Sequence, residues 1–224
     1  MSLNKVLEVA RSELGNTESP PNSNNTKYGE AYGLQGQPWC VIFLWWVFKQ
    51  AGESAAFFGG AKTASCGTLF HWYKAQGQTV PVSEVQPGDI VILDFSGRQK
   101  DTQHCGLVTK AWWGPYGIDR FETIEGNTTN GVGQQDNGGA VCEKTRYPSQ
   151  VVGVCRPKYK EDEMPKDDIN GHWAEREIRH CIRRGIIKGY PDGSFRPEQT
   201  VTRAELAAVV DRLTNLIIGG DDGK

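Results

Sequence analysis

Residues 38–52 read PWCVIFLWWVFKQAG, and the fold turns on whether they make a helix or a strand. The twelve residues 39–50 carry one charge, Lys49, and Gly52 follows. That is long for a strand, whereas a run apolar on every side and closed by a glycine suits a helix buried in a core. A bilayer span would need about 20 such residues, so the run does not cross a membrane. Cys40 then falls in the first helical turn. Unpaired backbone N–H groups and the positive dipole end favour a thiolate there, below the free-thiol pKa of about 8.5.

Upstream, Leu3, Val6, Leu7, Ala10 and Leu14 recur at helical spacing before Gly15, which predicts an amphipathic first helix. Residues 16–37 are rich in Pro, Asn and Gly and read as a loop bordering a site. Downstream, a second helix is predicted over 67–76, with Ser65 as a cap and Gly77 as a stop. The apolar period then changes to two. Short runs at 80–82, 89–95, 104–113, 120–125, 140–146 and 151–155 alternate with turn-rich segments. Helices followed by an antiparallel sheet define an α+β fold.

The chain has 224 residues and a net charge of −2, which provides no field for nucleic acid or an anionic membrane as partner. Its first residues contain charges but no apolar signal core, so no secretory signal is expected. Residues 1–155 hold 12 Lys+Arg and 14 Asp+Glu, while the remaining 69 hold 13 of each, so charge density more than doubles. The segment 156–169, RPKYKEDEMPKDDI, has a linker's composition. The expected organisation is a first domain over 1–155, a charged linker over 156–169 and a small module over 170–217. Six cysteines without a CxxC pair read mostly as small buried hydrophobes, and neither cofactor nor metal is expected. The Asn-rich stretch 22–25 lacks the acidic ligands that calcium takes.

Cys40 stands apart because of what the sheet offers it. A turn at 114–117 makes paired positions of the flanking strands sum to about 229–231, placing His104 opposite residues 125–127. Alternation puts Glu125 and Asn127 on one face, where either one orients the imidazole, and points Cys105 away. A thiolate at a helix N-terminus, an imidazole and a polar residue behind it form the arrangement for acyl transfer at an amide. An oxyanion would draw on the Cys40 amide with Gln35 or Gln37. His71, a rival base, is expected to pack among Phe70, Trp72 and Tyr73; Asp89 and Asp94 read as turn residues.

The stretches QPWCVIFLWWVF, QPGDIVIL, HCGLVTKAW and FETIEGNT, in that order, resemble the cysteine- and histidine-dependent amidohydrolase/peptidase (CHAP) family. The resemblance implies a papain-like α+β fold, peptidoglycan as substrate, Cys40 as nucleophile, His104 as base, and Glu125 and Asn127 as their polar partners. The expected activity is cleavage of a wall amide, as an N-acetylmuramoyl-L-alanine amidase or a peptidoglycan endopeptidase of the endolysin kind. The rivals are a silent wall-binding protein and a cysteine peptidase acting on non-wall proteins.

Residues 170–213 read as helix, turn, helix. Trp173, Ile178, Cys181 and Ile182 form the first apolar stripe and Gly185 ends it; Thr202 and Glu205 make a capping box; Leu206, Val209, Val210 and Leu213 form the second buried face. INGHWAEREI and GIIKGYPDGSFRPEQTVTRAEL resemble an S-layer homology (SLH) repeat. That resemblance implies a secondary cell-wall polymer as partner, with Arg203 pairing an anionic sugar group. Family members usually carry three repeats; one copy implies a homo-oligomer through this end. Without a signal the protein is expected in the cytoplasm until released to the wall, or outside by an unconventional route.

Overall fold

A computed structural model describes residues 2–114, 117–129, 131, 135–159, 168–190 and 194–218. The chain divides into two compact units, residues 1–160 and 161–224.

The first unit opens with α1 (Ser2–Ser12), which buries Val6, Leu7 and Ala10. Leu14 lies past the helix end and is exposed. The polar loop contains one short helix, α2 (Lys27–Tyr32), started by Thr26, whose side chain accepts from the Gly29 N–H. The run that decides the fold is α3 (Cys40–Gln50), with Cys40 as its first residue. Val41, Ile42, Phe43, Leu44, Val47 and Phe48 are all fully buried, so α3 is the central rod of the core. Helix α4 (Cys66–Ala75) is capped by Ser65, which accepts from the Thr68 N–H at 3.2 Å.

Six strands follow: β1 (Thr79–Val80), β2 (Ile90–Leu93), β3 (His104–Gly114), β4 (Gly117–Thr128), β5 (Ala140–Arg146) and β6 (Val151–Cys155). They form one sheet in the order β1-β6-β2-β3-β4-β5, and every neighbouring pair is antiparallel. Alternation divides the side chains cleanly. Ile90, Ile92, Cys105, Leu107 and Ile124 join the core built around α3, whereas Val91, Leu93, Val108, Phe121 and Val154 form a second cluster.

Beyond β6 the chain stays attached to the sheet. The Arg156 guanidinium donates to both Asp89 carboxylate oxygens, at 2.9 and 2.8 Å, and the Tyr159 ring stacks on Phe48 while its hydroxyl donates to the Gly88 carbonyl. The first residues of the segment read as linker are therefore held by the first unit; 160–167 lie outside the described residues.

The second unit contains α5 (Glu175–Arg183) and α6 (Arg203–Ile218). Its capping box forms as expected: Thr202 Oγ1 accepts from the Glu205 N–H at 3.1 Å, and the Glu205 carboxylate accepts from the Thr202 N–H at 2.8 Å. The apolar stripes differ from expectation. Ile169, Ile178 and Ile186 are buried, but Trp173 precedes α5 and is 87% exposed, and Leu206, Val210 and Leu213 face solvent with Leu216. A unit of this size has too little opposing surface to cover both faces of α6. Residues 191–193 of the predicted connecting turn lie outside the described residues.

Candidate active site

The site is assembled where the N-terminus of α3 meets β3 and β4. The pairs Leu107↔Ile124 and Val108↔Thr123 fix the register at the upper end of the expected range. His104 Nε2 lies 3.1 Å from Glu125 Oε2, and both side chains are fully buried. Gly106 makes this contact possible: a Cβ there would come within 2.7 Å of Glu125 Cγ.

A partner that sequence reasoning missed holds the carboxylate. Arg146, at the end of β5, donates through Nε to Glu125 Oε1 at 2.8 Å and through Nη2 to Oε2 at 2.6 Å. Thr123 adds a third donor at 2.6 Å, and the Phe95 ring lies against both the Arg146 guanidinium and His104. Burial by itself would raise the Glu125 pKa, but Arg146 and then His104 bring it down to about 2. The only trace of Arg146 in the sequence is a cationic residue ending an otherwise good strand.

Asn127 goes elsewhere. A bulge between Glu125 and Thr128 breaks the alternation, with Asn127 at φ +60°, and its amide donates to Asn137 Oδ1 at 3.0 Å. Glu125 and Asn127 therefore do not share a face as expected. Gly126, between them, lets β4 close on α3, since a Cβ there would lie 2.6 Å from Phe43 and 2.8 Å from Trp39.

Cys40 is 4% exposed. Its pKa is held well below the ordinary thiol value: the Cys105 thiol lowers it most, then Cys66, and His104 contributes after burial has opposed them. For His104, burial pulls downward, but Cys40 and Glu125 more than offset it and raise the pKa to about 9. The two shifts run in the same sense, towards a thiolate on Cys40 and an imidazolium on His104. Cys105 does not point away from this site: the Cys40, Cys66 and Cys105 sulfurs all lie within 4.8 Å of one another, with Cys40 and Cys66 at 3.7 Å. The thiols of Cys66 and Cys105 are pushed well above the usual value. Residues 40, 66 and 105 follow no metal-motif spacing, which is why the cluster was invisible in sequence.

The remaining expectations resolve individually. Gln35 accepts from the Thr26 N–H and donates one amide hydrogen to the Thr26 carbonyl, each at 3.0 Å; Gln37 is exposed. His71 is exposed, with Nδ1 2.8 Å from the Gly67 carbonyl oxygen and its ring 6.0 Å from that of Phe70, one of the aromatic residues expected to pack around it. Asp89 opens β2 in its ion pair with Arg156, and Asp94 accepts from the Ser96, Lys100 and Asp101 N–H groups. Arg203 is exposed at the start of α6. Arg196, stacked on Tyr190 at 4.2 Å, and Arg212 instead line a cleft of about 360 Å³ in the second unit.

Residues 31–127 match the CHAP domain family and residues 167–207 match the S-layer homology domain family. The chain carries a CHAP domain followed by an SLH domain. Among curated proteins it is similar to a cellulosome-anchoring protein of Acetivibrio thermocellus, 49% identical over 45 residues, or 20% of this chain and 10% of that protein. Cell surface glycoprotein 1 of the same organism is 54% identical over 63 residues, covering 28% of this chain and 3% of the glycoprotein. The S-layer protein EA1 of Bacillus anthracis is 32% identical over 72 residues, covering 32% of this chain and 8% of EA1. The chain spans a tenth or less of these relatives. A crystal structure of the wild-type endolysin LysIME-EF1 aligns with 71% of this chain and 65% of its own, at a TM-score of 0.42 and 19% identity.

Proposed function

We propose that the CHAP domain hydrolyses an amide bond of peptidoglycan through Cys40 and that the SLH domain holds the enzyme on a cell-wall polymer. The observation that carries the reading is the buried group Cys40, His104, Glu125 and Arg146: Arg146 donates twice to Glu125, Glu125 Oε2 lies 3.1 Å from His104 Nε2, and His104 adds to the lowering of Cys40 that Cys105 and Cys66 begin. The Cys40 thiolate attacks the amide carbon. The His104 imidazolium gives its proton to the departing amine and then takes one from the water that releases the acyl-enzyme. Glu125 orients the ring, and Arg146 keeps Glu125 ionised. The Cys40 backbone N–H, at the first position of α3 and without a backbone partner among the described residues, is the natural oxyanion donor.

Cell-surface names among the relatives support the wall as destination. Arg203 remains our choice for the anionic polymer, with Arg196 in the same matched domain and Arg212 a few residues past its end. The test is mass spectrometry of soluble fragments released from purified Gram-positive sacculi. Wild type is expected to release them and Cys40→Ala is not; their new termini distinguish amidase from endopeptidase. Equal release by both proteins would remove Cys40 as nucleophile, and no release with retained binding would leave a wall-binding protein.

A further inference from the structure

We propose that Cys40, Cys66 and Cys105 bind a thiophilic divalent cation of the Zn²⁺ class, which occupies the nucleophile and turns the enzyme off; the off-switch rests on the hydrolase reading above. Each thiol comes from a different rigid element: Cys40 is the first residue of α3, Cys66 the first of α4, and Cys105 the second of β3. Backbone geometry, not side-chain reach, brings them together.

The spacing suits a metal. Zinc–thiolate bonds of about 2.3 Å at tetrahedral angles place sulfurs roughly 3.8 Å apart. Cys40 and Cys66 are already at 3.7 Å, and Cys105 lies within 4.8 Å of both. Three thiolates select soft or borderline cations over Mg²⁺ and Ca²⁺.

A second feature points to a ligand. His104 Nδ1 is buried and has no hydrogen-bond partner among the described residues, while its ring acts on Cys40. A water completing the cation's fourth position would give this nitrogen a partner. The other ring nitrogen is held by Glu125, the outer-shell support that imidazoles beside zinc commonly have. The cation takes all three as thiolates, so the thiol protons that they still carry leave to solvent on binding.

The test uses the full chain with one equivalent of Zn²⁺. X-ray absorption at the zinc edge is expected to show three sulfur ligands at about 2.3 Å. A shell with fewer than three sulfurs overturns the site, and this readout needs no variant to fold. In competition titrations, Cys66→Ser and Cys105→Ser are each expected to weaken binding by more than the roughly 10–100-fold that losing an outer-shell partner costs. Cys181→Ser, in the second unit, is expected to bind as wild type does; loss of binding there would overturn the assignment. Fragment release from sacculi, with chelator and with saturating Zn²⁺, separates the two readings. Three sulfurs without release in chelator keeps the site and removes the hydrolase; release that persists at saturation removes the switch.

Discussion

Arg146 determines what Glu125 is, and through it what His104 does. Removing the guanidinium in Arg146→Leu leaves a carboxylate fully buried without its cation, for which a loss of about 3–5 kcal/mol is expected in urea denaturation. Activity should fall with it, because a protonated Glu125 no longer sustains the imidazolium. Asn127→Gly removes the amide yet tolerates the positive φ, so turnover should fall far less than in Glu125→Ala; equal losses would return Asn127 to the catalytic group. The pH dependence has a definite sign. Turnover rises as Cys40 ionises, on the acid side, and falls as His104 gives up its proton near pH 9. Stability moves oppositely at the two ends. Glu125, lowered to about 2 from 4.5, stabilises fully above 4.5 and loses this as pH falls towards 2; His104, raised from 6.5, stabilises fully below 6.5 and loses this as pH rises through about 9. Denaturant midpoints across pH, with Glu125→Gln as reference, check both limbs.

Individual elements were legible in proportion to how local their cause is. The 140–146 and 151–155 strands fall where the alternation places them, and the apolar run 39–50, rather long for a strand, forms α3 with Trp39 as its N-cap. What escaped the sequence was non-local or irregular. The short α2 lies within a loop composition, Cys66 and Cys105 meet Cys40 only once the first turns of α3 and α4 and the start of β3 converge in the fold, and the bulge at Asn127 interrupts a pattern that alternation assumes regular. The same bulge region makes one element-level prediction. Gly126→Ala inserts a methyl against Phe43 and Trp39, pushing β4 off the helix that carries Cys40; a loss of about 1–3 kcal/mol is expected by thermal denaturation, with turnover falling alongside it. An unchanged melting temperature would mean that β4 yields there freely.

At the level of the whole molecule, the two units differ in how much core they possess. The first surrounds α3 on every side, while the second leaves Leu206, Val210, Leu213 and Leu216 of α6 in solvent. Such a stripe predicts self-association: sedimentation equilibrium should give a mass that rises with concentration, and Leu206→Ser with Val210→Ser should return it to the monomer. A wild type that stays monomeric throughout would leave the stripe without a partner of its own kind. The fastening of Arg156 to Asp89 and of Tyr159 to Phe48 and Gly88 bears on a different matter. Anyone exchanging the targeting module for another would be drawn to splice at the end of the last strand, where the composition changes. A chimera joined there discards both fasteners and exposes a carboxylate and an aromatic face; one joined after Tyr159 keeps both.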